Sequence, residues 1–114
     1  MKGDRRRFHR WDADIACTCR TEHLCWPARI VDFSYGGARI VQSSIFPPEG
    51  EEVEIIFHTG DDQTVRARVV YAIPLQREKT AFGAAFYGDI EEKRLKLLPV
   101  FRKLVEGKTT IPHE

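Results

Sequence analysis

Several features of common protein classes are scarce or missing in this sequence. No run approaches the eighteen or so apolar residues of a membrane span, and the N-terminus is charged where a secretory signal is apolar. A cytoplasmic location without membrane insertion is therefore expected. The three cysteines are few and odd in number, which does not suggest a disulfide framework. Internal repeats and low-complexity tracts are also absent, so solenoid and linker architectures are not indicated.

The composition is that of one globular domain with a single core. Of the 114 residues, 42% are apolar and 31% are charged. The formal net charge of +1 conceals an asymmetry, because residues 1–10 contain five basic residues and one acidic residue. The remainder is net acidic, whereas a nucleic-acid-binding domain is usually basic across a face. This distribution favours a compact anionic ligand and predicts no nucleic-acid partner.

Apolar and polar residues alternate with a period of two over most of the chain, which indicates half-buried strands. Turn residues separate the alternating stretches, as in hairpins. The pattern predicts a mainly β fold whose six strands form an antiparallel barrel or sandwich. The predicted strands lie near residues 12–20, 25–33, 38–42, 52–58, 64–73 and 82–86.

The two ends of the chain follow other patterns. Residues 1–11 show no apolar periodicity and are predicted to be a flexible basic arm, with Phe8 and Trp11 as attachment points. A helical stripe runs from Ile90 to Val105 and predicts a C-terminal α-helix, with a kink or break near Leu98 caused by Pro99. The stripe comprises Ile90, Leu97, Leu98, Phe101 and Leu104 or Val105. The tail at 107–114 has no core pattern and is predicted to be disordered.

Two short motifs point to a ligand site. Asp32 and Ser34 precede a glycine pair, and an arginine cluster with Arg6 and Arg10 four residues apart lies upstream. Arginine presents a planar fork of donors that suits phosphate oxygens and purine edges. A glycine pair allows the main chain to turn at positive φ and to approach a ligand closely. Alternatively, Asp32 and Ser34 cap local backbone amides in a turn, and both interpretations can hold together.

These motifs resemble those of the PilZ domains, which bind the bacterial second messenger cyclic di-GMP. The family has Arg-x-x-x-Arg followed by Asp/Asn-x-Ser-x-x-Gly, and residues 6–10 and 32–37 fill every motif position. The resemblance extends from about Asp4 to Val105. It implies a six-stranded antiparallel split barrel with a C-terminal helix over residues 12–106.

The resemblance also implies roles for individual residues in binding cyclic di-GMP. Arg6 and Arg10 are expected to contact guanine edges and phosphates, and Asp32 is expected to accept from guanine nitrogen donors. By the same resemblance, Ser34 contacts phosphate and Gly37 permits backbone approach. Arg5, like Arg7, flanks the motif and is expected to reach phosphate or a second ligand molecule.

A cysteine and histidine cluster raises the alternative of a zinc site. Cys17, Cys19, His23 and Cys25 are suitable ligand types, but their spacing is not a standard one. Cys17 and Cys19 lie on the apolar face of a predicted strand, where thiols behave as small hydrophobic groups, so no metal is expected. His58 has no evident partner in the sequence. Tyr71 and Trp26 are expected at the core or its rim.

The sequence therefore predicts a cyclic di-GMP receptor that changes its arm conformation and its contacts with a downstream protein, whose identity is unknown. No nucleophile and base arrangement is evident, so an enzyme is not expected. One alternative is an adaptor of the same fold that binds a protein without nucleotide. A second alternative is a small barrel that uses its basic arm on RNA or DNA, which the acidic body disfavours.

Overall fold

The computed structural model describes residues 10–43, 47–58, 62–88, 97–98 and 102. It confirms the predicted six-stranded antiparallel barrel. The strands are β1 (Trp11–Arg20), β2 (Cys25–Phe33), β3 (Gly37–Ser43), β4 (Glu52–Phe57), β5 (Gln63–Pro74) and β6 (Lys79–Phe86). They form a closed barrel in the order β1-β2-β3-β6-β5-β4, with every pair antiparallel.

Local turns explain why neighbouring strands pair. Between β1 and β2, the Thr21 amide donates to the Leu24 carbonyl at 2.8 Å, and the Thr21 hydroxyl accepts from the Leu24 amide at 3.1 Å. The turn between β5 and β6 contains Arg77 and Glu78, both at positive φ. A pair of left-handed residues matches the right-handed twist of the flanking strands, which favours a tight hairpin.

The core follows the predicted alternation. In β1 the side chains of Ile15, Cys17 and Cys19 point inward, and in β4 those of Val53, Ile55 and Phe57 do so. Burying a large apolar side chain contributes about 1.5–3 kcal/mol. A series of ring contacts extends through the barrel, with centroid distances of 6.1 to 6.3 Å. The contacts are Trp11–Phe33, Trp11–Tyr35, Phe33–Phe57 and Phe57–Phe86.

Trp11 is the first residue of β1, although the sequence places it at the end of the arm. Its ring packs against Phe33 and Tyr35. Trp11 therefore attaches the start of β1 to the core, and Phe8, the other proposed attachment point, lies outside the described residues.

The described part of the C-terminal region is small. Leu97, Leu98 and Arg102 have helical backbone conformation, and the rest of the predicted helix, including Pro99, lies outside the described residues. Leu97 is fully buried in the core, as the helical stripe predicts. Leu98 is 41% exposed, so it does not share that buried stripe. Within the described residues, no helix is long and apolar enough to cross a membrane.

Candidate ligand site at the bulged end of the barrel

A β-bulge in β2 turns Asp32 to the outer surface. Trp26, Ala28 and Ile30 point inward at intervals of two, but the next buried position in β2 is Phe33, three residues on. The register with β3 shifts between Ile30 and Asp32. A bulge inserts one residue and reverses the side-chain alternation beyond it, and bulges are common beside functional sites. Without this bulge Asp32 would point into the core.

Three register shifts surround one line of residues across the barrel. Besides the shift in β2, the β1–β2 pairing shifts between Asp12 and Ile15, and the β5–β6 pairing shifts between Val69 and Tyr71. The residues that face each other in consecutive pairings are Asp12, Asp32, Arg39, Gly83 and Tyr71. We call these five residues the cross-strand row. Directly opposed residues share a face, so the row places charged and aromatic groups side by side.

Arg10 immediately precedes β1 and pairs with Asp32 of the row. Its Nη2 donates to Oδ1 of Asp32, joining a residue of the arginine motif to the first residue of the second motif. The Asp32 side chain is 18% exposed. A carboxylate offers about four lone-pair positions, so Asp32 can accept from Arg10 and from a ligand donor at the same time.

Asp32 lies between a carboxylate and a guanidinium in the row. Asp12 faces Asp32 from β1, and two opposed carboxylates repel each other. Arg39 faces Asp32 from β3, is exposed, and joins none of the ion pairs found among the described residues. The row therefore offers an anionic ligand an arginine beside an acceptor for ligand N–H groups.

Tyr71 lies over Gly83 at the other end of the row. A Cβ atom built on Gly83 would meet Cε2 of Tyr71 at 2.3 Å and its Cζ at 2.7 Å. Only glycine therefore lets this ring lie against the sheet. The arrangement gives a partly buried aromatic surface next to Arg39, where a planar base can stack.

The turn after Asp32 is stabilised by its own hydrogen bonds. The Ser34 hydroxyl accepts from the Gly36 amide at 3.0 Å, and the Ser34 amide donates to the Gly37 carbonyl at 2.8 Å. Ser34 is only 6% exposed. The alternative in which Ser34 caps local backbone amides is thus present in the structure, and it leaves the serine oxygen little access to solvent.

The positive φ expected at the glycine pair is wrong. Among the described residues, positive-φ glycines are Gly50 and Gly88, so neither Gly36 nor Gly37 requires left-handed geometry. Gly37 is needed because β6 approaches closely: a Cβ atom at Gly37 would lie 2.2 Å from the Ala84 carbonyl oxygen. The absence of a side chain therefore serves strand packing.

Some predicted site residues are brought together and others are not described. Arg10 and Asp32 are in contact, and Ser34 and Gly37 form the adjoining turn. Arg5 and Arg6 lie outside the described residues. Sequence reasoning missed Arg39 as a candidate and assigned Tyr71 to the core or rim. The available signal was the three-residue spacing of buried positions, Ile30 to Phe33, which marks the bulge.

The cysteine and histidine cluster is dispersed. Cys17 and Cys19 point into the barrel, and Cys25 is exposed on the other side of the sheet. His23 is also exposed, with 85% of its side chain accessible. A hydrogen bond from Cys17, together with burial, raises the pKa of the Cys19 thiol, which favours the protonated form. No three potential ligands among the described residues form a group that could hold a metal ion.

Comparison with known proteins gives one family. The sequence profile described as "PilZ domain" matches residues 4–100. No curated protein matches the chain in sequence.

Solved structures with the same fold include the PilZ domain of YcgR from Escherichia coli with c-di-GMP, at a TM-score of 0.69 and 17% identity. That alignment covers 91% of this chain and 94% of the other. The Bacillus subtilis inhibitor of motility, MotI/DgrA, aligns at a TM-score of 0.71 and 17% identity, covering 95% of this chain and 55% of the other. The K. pneumonia MrkH–c-di-GMP complex aligns at a TM-score of 0.70 and 16% identity, covering 92% of this chain and 55% of the other. The chain thus spans about half the length of MotI and MrkH.

Proposed function

Because this chain belongs to the PilZ domain family, we propose that it is a receptor for cyclic di-GMP and that the cross-strand row forms the barrel half of its binding site. The observation that supports this most directly is the pairing of Arg10 with Asp32, since one residue from each family motif meets at the bulged end. Solved structures with this fold, YcgR and MrkH, hold c-di-GMP. The function is that of a receptor and does not require catalysis.

In this proposal Asp32 with Arg10, and Tyr71 farther along the row, make different kinds of contact with the nucleotide. Asp32 accepts from the guanine N1 and N2 donors while Arg10 keeps its contact and extends its remaining N–H groups toward O6, N7 or phosphate. Arg39 contributes a second guanidinium to the phosphates. Tyr71 provides a surface on which the base stacks.

The remaining motif residues complete the site. We assign Arg5 and Arg6 to phosphate and guanine contacts, by their positions in the family motif. Ser34 is buried and bonded to Gly36, so its first contribution is to hold the turn that presents Asp32. Gly37 acts through the same turn by letting β3 pack closely against β6. Ligand binding then orders the arm and changes the surface available to a downstream protein, in a cytoplasmic signalling role.

Calorimetric titration with cyclic di-GMP tests the function directly. Wild-type protein should bind with a measurable enthalpy and a defined stoichiometry. Asp32→Ala and Arg10→Ala should each lose about 1.5–3 kcal/mol of binding free energy, or one to two decades of affinity, because each removes a charge-assisted hydrogen bond. Both residues lie outside the core, so the melting temperature should change little.

A matched control separates site contacts from general electrostatics. Arg77→Ala removes an exposed arginine from the β5–β6 turn, away from the row, and should leave affinity unchanged. Wild-type affinity in both Asp32→Ala and Arg10→Ala would overturn the site assignment. A folded wild-type protein that gives no binding heat and no competition with labelled nucleotide would instead favour the nucleotide-independent adaptor.

A further inference from the structure

A second cleft lies on the outer face of β1, β2 and β3, and it is separate from the cross-strand row. Its volume is about 410 Å³, and none of the five row residues lines it. Small or compact side chains form its apolar floor: Ala16, Pro27 and Val41. Ligand clefts in proteins typically measure about 300–1,000 Å³ and combine an apolar lining with a few polar groups. The cleft is therefore large enough for a small organic molecule.

Two cationic side chains belong to the lining of this cleft. They are Arg29 and Lys79, and none of the described lining residues is acidic. Arg29 is paired with Asp14, donating from Nε to its Oδ1 at 2.6 Å and from Nη2 to its backbone oxygen at 3.5 Å, and Nη1 takes part in neither bond. Lys79 belongs to none of the ion pairs found in the described part of the chain. Lys79 is thus the cation of this lining that pairs with none of the described carboxylates, whereas Arg29 is held by Asp14.

Another cleft of similar size has a lining of the opposite net charge. A cleft of about 460 Å³ between the start of β4 and the β1–β2 turn is lined by four glutamates and two arginines. Both arginines there are already paired, Arg20 with Glu54 at 2.9 Å and Arg66 with Glu52 at 3.0 Å. The four glutamates repel an anion from that cleft, whereas the described lining of the cleft at Lys79 contains no carboxylate.

One wall of the cleft at Lys79 contains a chain of hydrogen bonds that the sequence did not reveal. His58 lies between Asp62, whose Oδ2 is 3.0 Å from Nδ1, and Thr18, whose Oγ1 is 2.7 Å from Nε2. Because a carboxylate only accepts, Nδ1 of His58 donates to Asp62. The two bonds orient the imidazole and the Thr18 hydroxyl beside the cleft.

We propose that this cleft is a second binding site, for a small organic anion with an apolar body and one carboxylate or phosphate group. The body would lie on Ala16, Pro27 and Val41. Lys79 and Arg29 would bind the anionic group, and the hydroxyl of Ser43, which also lines the cleft, would donate a hydrogen bond to it. Recognition depends on the apolar floor and the cations together, which distinguishes this site from a basic patch that attracts any polyanion.

Residue-resolved NMR titration tests the proposal with three probes, each of which contains a phenyl ring. Phenyl phosphate and benzoate carry the two candidate anionic groups, and phenol carries neither. At least one anion should shift the amides of Thr18, Arg29 and Ser43 along a saturable curve, and phenol should bind at least about tenfold more weakly. The anion that binds more tightly identifies the preferred group. The amide resonances of Asp32 and Arg39 should not shift.

Two variants with a matched control decide whether the cleft itself binds. Lys79→Gln should weaken binding about tenfold, whereas Arg77→Gln in the same hairpin, which does not line the cleft, should leave it unchanged. Ala16→Phe fills the floor without altering charge and should abolish binding, since an exposed strand position accepts an aromatic side chain. Shifts spread over all basic surfaces, no saturable shift with either anion, or wild-type affinity in Lys79→Gln would overturn the proposal. If Ala16→Phe does not fold, the comparison of Lys79→Gln with Arg77→Gln decides alone.

Discussion

The inner and outer faces of the same six strands obey different rules. The inner face is mostly apolar, and its residues repeat every two positions along regular stretches such as Ile15, Cys17 and Cys19. Its buried polar side chains include Gln42, which accepts from Trp26 Nε1 at 2.8 Å. The outer face at the bulged end places Asp32, Arg39 and Tyr71 together because the alternation is interrupted in β2 and β5. Stability thus depends on regularity, and the candidate site depends on departures from it.

Close packing at the boundary between the two faces should give the largest effect. Gly37→Val places a side chain where the Ala84 carbonyl oxygen would lie 2.2 Å from Cβ. The neighbour is backbone and cannot rotate away, so β3 and β6 must separate. We expect a loss of about 3 kcal/mol or more in the free energy of unfolding, measured by urea denaturation.

Gly50→Ala provides the contrast for Gly37→Val. Gly50 has a φ of 88° and nothing within 4 Å of an added Cβ, so alanine there is strained but meets no clash. Its cost should be about 1 kcal/mol. Equal destabilisation by the two substitutions would contradict the assignment of Gly37 to strand packing.

Two cysteines on opposite faces provide a second test of the comparison. Cys17→Ser places a hydroxyl in the apolar core and should reduce the free energy of unfolding by about 1–3 kcal/mol. Cys25→Ser, at an exposed position, should change it by less than about 0.5 kcal/mol. Elemental analysis should find no stoichiometric zinc. One zinc per chain, or a large loss in both variants, would show that the thiols act as metal ligands.

The regular inner face is the part that the sequence predicts well. The six strands, the inward cysteines and the hairpin order follow from period-two alternation and turn residues. The row was not predicted as a unit, because register shifts depend on how neighbouring strands pair. The partners of His58 were also missed: Thr18 is forty residues away in the chain, and only barrel closure through the β1–β4 pairing brings them together. The positive φ expected at Gly37 was wrong, and the close approach of β6 to this glycine cannot be recognised from the local sequence.

The aromatic end of the row should contribute a smaller, measurable share of nucleotide binding. Tyr71→Ala removes the stacking surface and should weaken cyclic di-GMP binding by about tenfold, since stacking on one base is worth about 1–3 kcal/mol. Gly83→Ala should displace the ring and reproduce part of this loss. Tyr87→Ala is the control, because Tyr87 is 40% exposed and its ring instead contacts the guanidinium of Arg66, 5.6 Å away. Equal losses for Tyr71→Ala and Tyr87→Ala would exclude stacking at the row.

The smallest effect concerns the arm, and it rests on the proposed nucleotide function. The sequence predicts that Arg5, Arg6 and Arg7 belong to a flexible segment, whereas Arg10 is held at Asp32. Ordering such a segment costs about 1–2 kcal/mol of backbone entropy per residue, so a ligand with two phosphates and two guanines is needed to offset it.

Limited trypsin digestion should therefore cleave rapidly after Arg5 to Arg7 and slowly after Arg10, and saturating cyclic di-GMP should slow the first group severalfold. Cleavage after Arg77, in the exposed turn of the β5–β6 hairpin, is the internal reference and should not change. If calorimetry shows binding and the arm is still cleaved at its original rate, the arm does not close over the nucleotide. The signal must then pass through the row itself, which runs from Asp32 to Tyr71 across three strand pairs.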